Sequence, residues 1–202
     1  LLALDGSRII IPADMLQQMK NAMEEILSAY HDQYPLRLGM PREQLKSQLA
    51  FPSGLFDAVV RQMSTEQTLV TCQAKVRLAG HQVQFTKEQQ KAINQLLLQF
   101  QEQPTTPPSV KQCVETIGEE LTDALLETGQ LVQPAEDVVF LPAIFEEMQN
   151  LAIEHLRTNG SITLAELRDQ LHTSRKYAVA VLEFLDSSGV TVRKGDSRQL
   201  RR

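Results

Sequence analysis

Apolar residues recur along this chain first at helical spacing and then in short alternating runs, and the order comes three times. Met15, Met19, Met23 and Ile26-Leu27 mark one face of a helix from about Pro12 to Gln33. Pro12 suits the first turn of such a helix, and the methionine stripe reads as core packing rather than as a ligand set. A second helix is predicted over Arg42 to Leu49. A third follows Pro52-Ser53-Gly54 and runs to Met63, with Leu55, Val59 and Met63 on one face. A hairpin over Leu69 to Leu78 closes the unit.

The second copy opens on FTKEQQKAINQLLLQF, where Thr86 and Gln89 have capping-box spacing. The proline-rich QEQPTTPPS ends that helix. Short helices near Val110 to Val114 and Gly118 to Glu127 follow, Gly129 stops the second, and a hairpin spans Gln130 to Leu141.

The third copy begins near Pro142. Its first helix ends at Asn159-Gly160, and Ser161-Ile162-Thr163 is a short extended piece. Thr163 and Glu166 form another capping box, ahead of LAELRDQL. HTS is a tight turn. A helix from about Ser174 to Ser188 then buries Ala178, Val181, Leu182 and Leu185, and Gly189 ends it. Val190–Arg193 and Arg198–Leu200 flank a turn at Lys194-Gly195-Asp196-Ser197.

The strand starts recur about every sixty residues, longer than the common solenoid repeats. Helix, strand, helix-turn-helix, hairpin is the winged-helix pattern. The predicted fold class is therefore mainly α with small β-hairpins (α+β): tandem winged-helix domains in an elongated arrangement. Their expected bounds are 1–84, 85–141 and 142–202, with residues 1–11 a remnant of a preceding wing. The chain opens without Met on a strand-like stretch, which reads as a piece cut between modules. The fold by itself does not give function, because it serves DNA, RNA and protein contacts alike.

Charge changes the picture. The whole chain carries −5, yet from His172 to Arg202 seven Lys/Arg face three Asp/Glu. A site for a polyanion is thereby concentrated at one end. No apolar run is long enough for a membrane span, and the first residues lack a secretory signal. Cys72 and Cys113 are isolated, which points to a reducing cytoplasm and to no metal site. His31, His81, His155 and His172 are scattered, and Glu119-Glu120 and Glu146-Glu147 are pairs of neighbours. None of these is a catalytic constellation, so no enzyme and no cofactor are expected in this chain.

In a helix-turn-helix the start of the last helix faces nucleic acid. Here it is Thr173-Ser174-Arg175-Lys176-Tyr177. Free N–H groups at a helix start favour phosphate, Arg175 and Lys176 add charge, and Thr173 or Ser174 adds a hydroxyl. Tyr177 would either stack on a base or pack under the wing. The wing offers Arg193, Lys194 and Arg198 as exposed cations, and Gly195 permits a tight turn. Asp196 would cap that turn or hold a neighbouring arginine. His172 would contact phosphate or serve as a turn residue. Arg201 and Arg202 would fray. The corresponding helix starts in the other copies, Ser53-Gly54-Leu55-Phe56-Asp57 and Ile117-Gly118-Glu119-Glu120, lack this charge.

These residues carry a resemblance. Ser174-Arg175-Lys176-Tyr177, Leu182-Glu183-x-Leu185-Asp186 and Thr191-x-Arg193-x-Gly195-Asp196-x-Arg198, preceded by GSITLAELRDQL, resemble the C-terminal winged-helix end of the bacterial SelB family of selenocysteine-specific translation elongation factors. The likeness is strong over the last sixty or so residues; upstream it lies in module order. It implies four winged-helix modules behind a GTP-binding, tRNA-binding body, of which this chain would hold the last three. It implies that the last module binds the SECIS hairpin of a selenoprotein messenger RNA, gripping phosphates and reading extruded bases. The ribosome and selenocysteyl-tRNA would be partners of the full-length protein, a monomer in the cytoplasm. No GxxxxGK[ST] occurs here, so the GTPase would lie outside this chain.

Two other classes remain open at this point. A DNA-binding regulator would share the fold, although Glu183 and Asp186 disfavour deep insertion of the last helix into a major groove. A protein-interaction scaffold suits the first two modules better than the third.

Overall fold

The computed structural model describes residues 2–4, 7–9, 11–49, 51–72 and 74–201. Arg202 lies outside them. The chain forms two compact units, Leu1–Gln84 and Phe85–Arg202.

In the first unit a two-stranded antiparallel hairpin, β1 (Leu2–Leu4) and β2 (Ser7–Ile9), precedes the helix α1 (Ala13–Gln33). A short strand β3 (Met40–Pro41) leads into α2 (Arg42–Leu49) and α3 (Ser53–Thr65), and the hairpin β4 (Leu69–Cys72) and β5 (Lys75–Leu78) closes the unit. The sheet order is β3-β5-β4, so the last strand lies in the middle. Met19, Met23 and Leu27, four residues apart on α1, pack on Phe56, Val59 and Met63 of α3 and on Val76 of β5. Met15, one turn earlier in the same stripe, is 46% exposed, while its neighbour Leu16 packs against the core.

The second unit opens with α4 (Lys87–Glu102), capped by Thr86 and Gln89 in a complete reciprocal box. α5 (Val110–Ile117) carries a second box, made by Ser109 and Gln112, and α6 (Glu119–Glu127) follows. The hairpin β6 (Val132–Ala135) and β7 (Val138–Phe140) is a two-stranded sheet. The prolines of the 103–109 connection lack backbone donors, and this loop takes the place of the short strand found before the second helix in the first unit.

α7 (Pro142–Asn159) starts on its proline and ends on Gly160 in the left-handed conformation. β8 (Ile162–Thr163), α8 (Leu164–Gln170), α9 (Arg175–Ser187), β9 (Thr191–Lys194) and β10 (Ser197–Leu200) complete the chain. Their sheet order, β8-β10-β9, repeats that of the first unit. Val138 and Phe140 of β7 lie in one hydrophobic cluster with Phe145, Met148, Ile162, Val181 and Leu185. The hairpin of the second module is thus part of the core of the third.

One turn recurs in all three modules. The residue that joins the helix before the hairpin to the first strand has a positive φ: Gln67 at 58°, Gly129 at 73° and Gly189 at 75°. The next residue in each case donates its N–H back into the helix, to Met63, Leu125 and Leu185 respectively.

Candidate nucleic-acid interface

α9 presents the start of the last helix-turn-helix. Its N-cap Ser174 has an extended backbone, and its hydroxyl makes no capping bond. α4, α5 and α8 all have complete capping boxes, so the first-turn N–H groups of α9 keep more of their donor capacity. Arg175 and Lys176 follow, both exposed. His172 sits at φ 49° in the turn that brings the chain from α8 to α9. Its ring is exposed and its carbonyl accepts from Thr105 Oγ1 at 3.4 Å.

Three of the expected side chains turn toward the second module. Thr173 Oγ1 donates to the carbonyl of Thr105. Tyr177 Oη donates to the carbonyl of Pro107 at 2.6 Å, and its ring meets Phe140 of β7 edge-on at 5.5 Å. Tyr177 therefore packs under a wing, but the wing of the preceding module. Burial pushes its phenol above the ordinary value. Lys176 Nζ lies 2.7 Å from Asp137 Oδ2, on the β6–β7 turn. The ammonium holds the Asp137 carboxyl below the usual range, helped by the Lys111 backbone N–H. Lys176 is therefore not an uncommitted cation.

The wing divides its residues by strand alternation. Arg193 and Lys194 are successive on β9, so they point to opposite faces, and both are exposed. Arg193 Nε donates to the carbonyl of Gly195 at 3.0 Å, which folds the guanidinium over the turn. Gly195 itself has φ 61°. Arg198, expected as an exposed contact, is instead 7% exposed. It lies on the middle strand, opposite Ile162 and Arg193, and its Nε is 3.3 Å from Asp186 Oδ2. The physical reason is register: the middle strand of a three-stranded sheet has a neighbour on each side, and its inward positions are covered. A triple alanine substitution that includes Arg198 would damage packing as well as charge.

The interface that emerges has Arg175, Arg193 and Lys194 as exposed cations without an ion pair among the described residues, and a seam that holds Thr173, Lys176 and Tyr177. Sequence reasoning missed Thr105, Pro107 and Asp137, which lie far away in the chain. It used Asp186 as part of a motif and as an acid against deep groove insertion, not as a partner of Arg198. Alternation along β10 would have placed Arg198 on one face with Leu200, which packs on the core.

Two family models described as elongation factor SelB, winged helix, match residues 25–78 and 154–200, together half of the chain. A selenocysteine-specific elongation factor of Desulfomicrobium baculatum is 28% identical, over 95% of this chain and 32% of its own length. Those of Haemophilus influenzae and Escherichia coli are both 23% identical, over 92% and 95% of this chain. The chain spans about a third of the length of these curated relatives. A crystal structure of bacterial selenocysteine-specific elongation factor EF-Sec aligns with all of this chain over 32% of its own, at TM-score 0.51 and 15% identity. The mRNA-binding domain of elongation factor SelB from E. coli, solved with SECIS RNA, covers 58% of this chain at TM-score 0.47 and 26% identity. On the two family-model matches, the chain belongs to the winged-helix family of elongation factor SelB.

Proposed function

We propose that this chain is the messenger-binding part of a selenocysteine-specific elongation factor. Its last module binds an RNA stem-loop of the SECIS type, so that the full-length protein carries selenocysteyl-tRNA to a ribosome paused at a recoded UGA codon. The observation that supports the reading best is the pairing of an incompletely capped, basic helix start with a basic wing in the last module of a SelB-family chain. The names of the curated relatives point the same way.

The chemistry is backbone capture. The deep, narrow major groove of A-form RNA excludes a helix, whereas a loop exposes phosphates and unstacked bases to a small convex surface. Arg175 and the α9 N–H groups meet phosphate at the helix start, and Arg193 and Lys194 meet it from the two faces of the wing. Holding the hairpin near the delivery body raises the effective concentration of the tRNA at that codon. The chain acts as a monomer in the cytoplasm, without a cofactor of its own, and GTP hydrolysis belongs to the rest of the full-length factor. No helix among the described residues is long and apolar enough to cross a membrane.

The test is a salt-series titration of this chain against a bulged stem-loop RNA, with a scrambled hairpin and duplex DNA as competitors. Three phosphate contacts predict that log K falls with log salt at a slope of roughly −2 to −3. A variant with alanine at Arg175, Arg193 and Lys194 should keep the fold and lose binding. Duplex DNA that competes as well as the hairpin would return the chain to the DNA-regulator class.

A further inference from the structure

The first and third modules share one topology, and their matching positions can be read from hydrogen bonds and strand register. The helix caps Glu66 and Ser188 donate back to Gln62 and Phe184 respectively. Ser64 in the first module therefore corresponds to Asp186 in the third. Leu69 opposite Leu78 corresponds to Thr191 opposite Leu200, and Val76 opposite Met40 corresponds to Arg198 opposite Ile162.

Where the first module has serine, leucine and valine, the third has aspartate, threonine and arginine. Leu69 and Val76 are buried at 1% and 0% exposure, and Thr191 and Arg198 at 2% and 7%. In the third module the three side chains are joined. Asp186 Oδ1 accepts from Thr191 Oγ1 at 2.6 Å, and Asp186 Oδ2 accepts from Arg198 Nε at 3.3 Å. In the first module Ser64 Oγ is buried with no partner among the described residues.

The fold alone does not call for this trio, because the sister module closes the same helix-to-hairpin junction with two apolar residues and a lone serine. Burying the Arg198 guanidinium and part of the Asp186 carboxylate costs desolvation that apolar packing avoids, and replacing both members of such a pair by apolar side chains is often neutral or stabilising. What the ionic trio adds is direction. Apolar contact tolerates sliding, whereas charge-assisted hydrogen bonds hold donor and acceptor at one distance and angle. Asp186 is on α9, Thr191 begins β9, and Arg198 lies on β10 directly across from Arg193. The trio thus ties the recognition helix to both strands of the wing that carries Arg193 and Lys194.

We infer that the part-buried Asp186 and the buried Thr191 and Arg198 form a latch that sets the wing cations of the third module relative to α9, and that Arg198 is a positioning residue for RNA rather than a phosphate contact. The inference rests on the proposed RNA-binding function for its purpose, but not for its geometry.

Two variants test it: Arg198→Met, which replaces the ion by an apolar chain, and Thr191→Val, which keeps shape and the Asp186–Arg198 pair but removes one hydrogen bond. The first readout is amide hydrogen exchange over β9 and β10 without RNA. The second is stem-loop affinity and its salt slope. In Arg198→Met, which leaves the Asp186 carboxylate without its cation, wing amides should exchange faster and the melting temperature should fall, and affinity should fall roughly tenfold with the slope unchanged. A slope shallower by about 0.7 would make Arg198 a phosphate contact and overturn the inference. Unchanged affinity would overturn it as well, by reducing the trio to packing. Should Arg198→Met not fold, Thr191→Val decides: faster wing exchange and weaker binding at the same slope support the latch, and no change in either sinks it. If the unmodified chain does not select the stem-loop, the proposed function fails and with it the latch's purpose, while the exchange data still decide whether the latch exists.

Discussion

Gln67 occupies a backbone position that the other two modules give to glycine. With φ at 58° it holds the left-handed conformation that is open to Gly129 and Gly189 without a Cβ penalty. Gln67→Gly should therefore stabilise the first unit by about 0.5–1 kcal/mol in urea unfolding, against the usual trend for glycine substitutions. His31 is a second residue with a local consequence. Its Nε2 accepts the Leu78 N–H at 3.3 Å, so its proton sits on Nδ1, which is buried without a partner among the described residues. Its ring stacks on His81 with centroids 3.7 Å apart. Burial first, then the His81 ring and the Arg77 guanidinium, lower its pKa from 6.5 to about 4, with Asp32 opposing. Between those values the unfolded chain binds a proton that the folded chain refuses. The contribution is therefore intact above pH 6.5 and is lost as pH falls toward 4, with a slope of at most about 1.4 kcal/mol per pH unit. Urea unfolding of the chain and of His31→Gln across this range checks it: the variant should lose that part of the slope.

At the scale of elements, the β6–β7 hairpin decides what the recognition helix can offer. Asp137 on its turn takes Lys176, and Phe140 on β7 supports both Phe145 and Tyr177. The ion pair is half-exposed and contributes only about 0.2–1 kcal/mol. Its effect on charge is larger. Asp137→Ser should free Lys176 for phosphate, raise stem-loop affinity severalfold and steepen the salt slope by about 0.7. An unchanged slope would mean that Lys176 cannot reach the RNA. Phe140, fully buried, should cost about 3–5 kcal/mol when cut to alanine. Hydrogen exchange should then show α9 and the β6–β7 hairpin losing protection together, because the two modules share that ring. The helices and hairpins were legible from capping boxes, proline and glycine punctuation and period-two runs, since these signals act within a few residues. The missing third strand of the second module was not, because a strand of two residues depends on a partner far along the chain.

For the whole molecule, residues 85–202 are one compact unit, and the polyanion surface proposed here belongs to that unit rather than to its last module alone. Sequence by itself determined the three-fold recurrence of helices and hairpins, the concentration of positive charge after His172 and the family motifs around Arg175 and Arg193. Periodicity, caps and charge balance are local sums, and a chain carries them in its order of residues. Tertiary structure alone decided which cations stay uncommitted. Arg198 reads as one more wing arginine until strand register places it on the middle strand beside Asp186. Lys176 reads as a phosphate ligand until folding brings Asp137, thirty-nine residues earlier in the chain, within 2.7 Å of it. Net charge can be counted along a sequence, but pairing and burial depend on distance in space, and only the packed fold sets that.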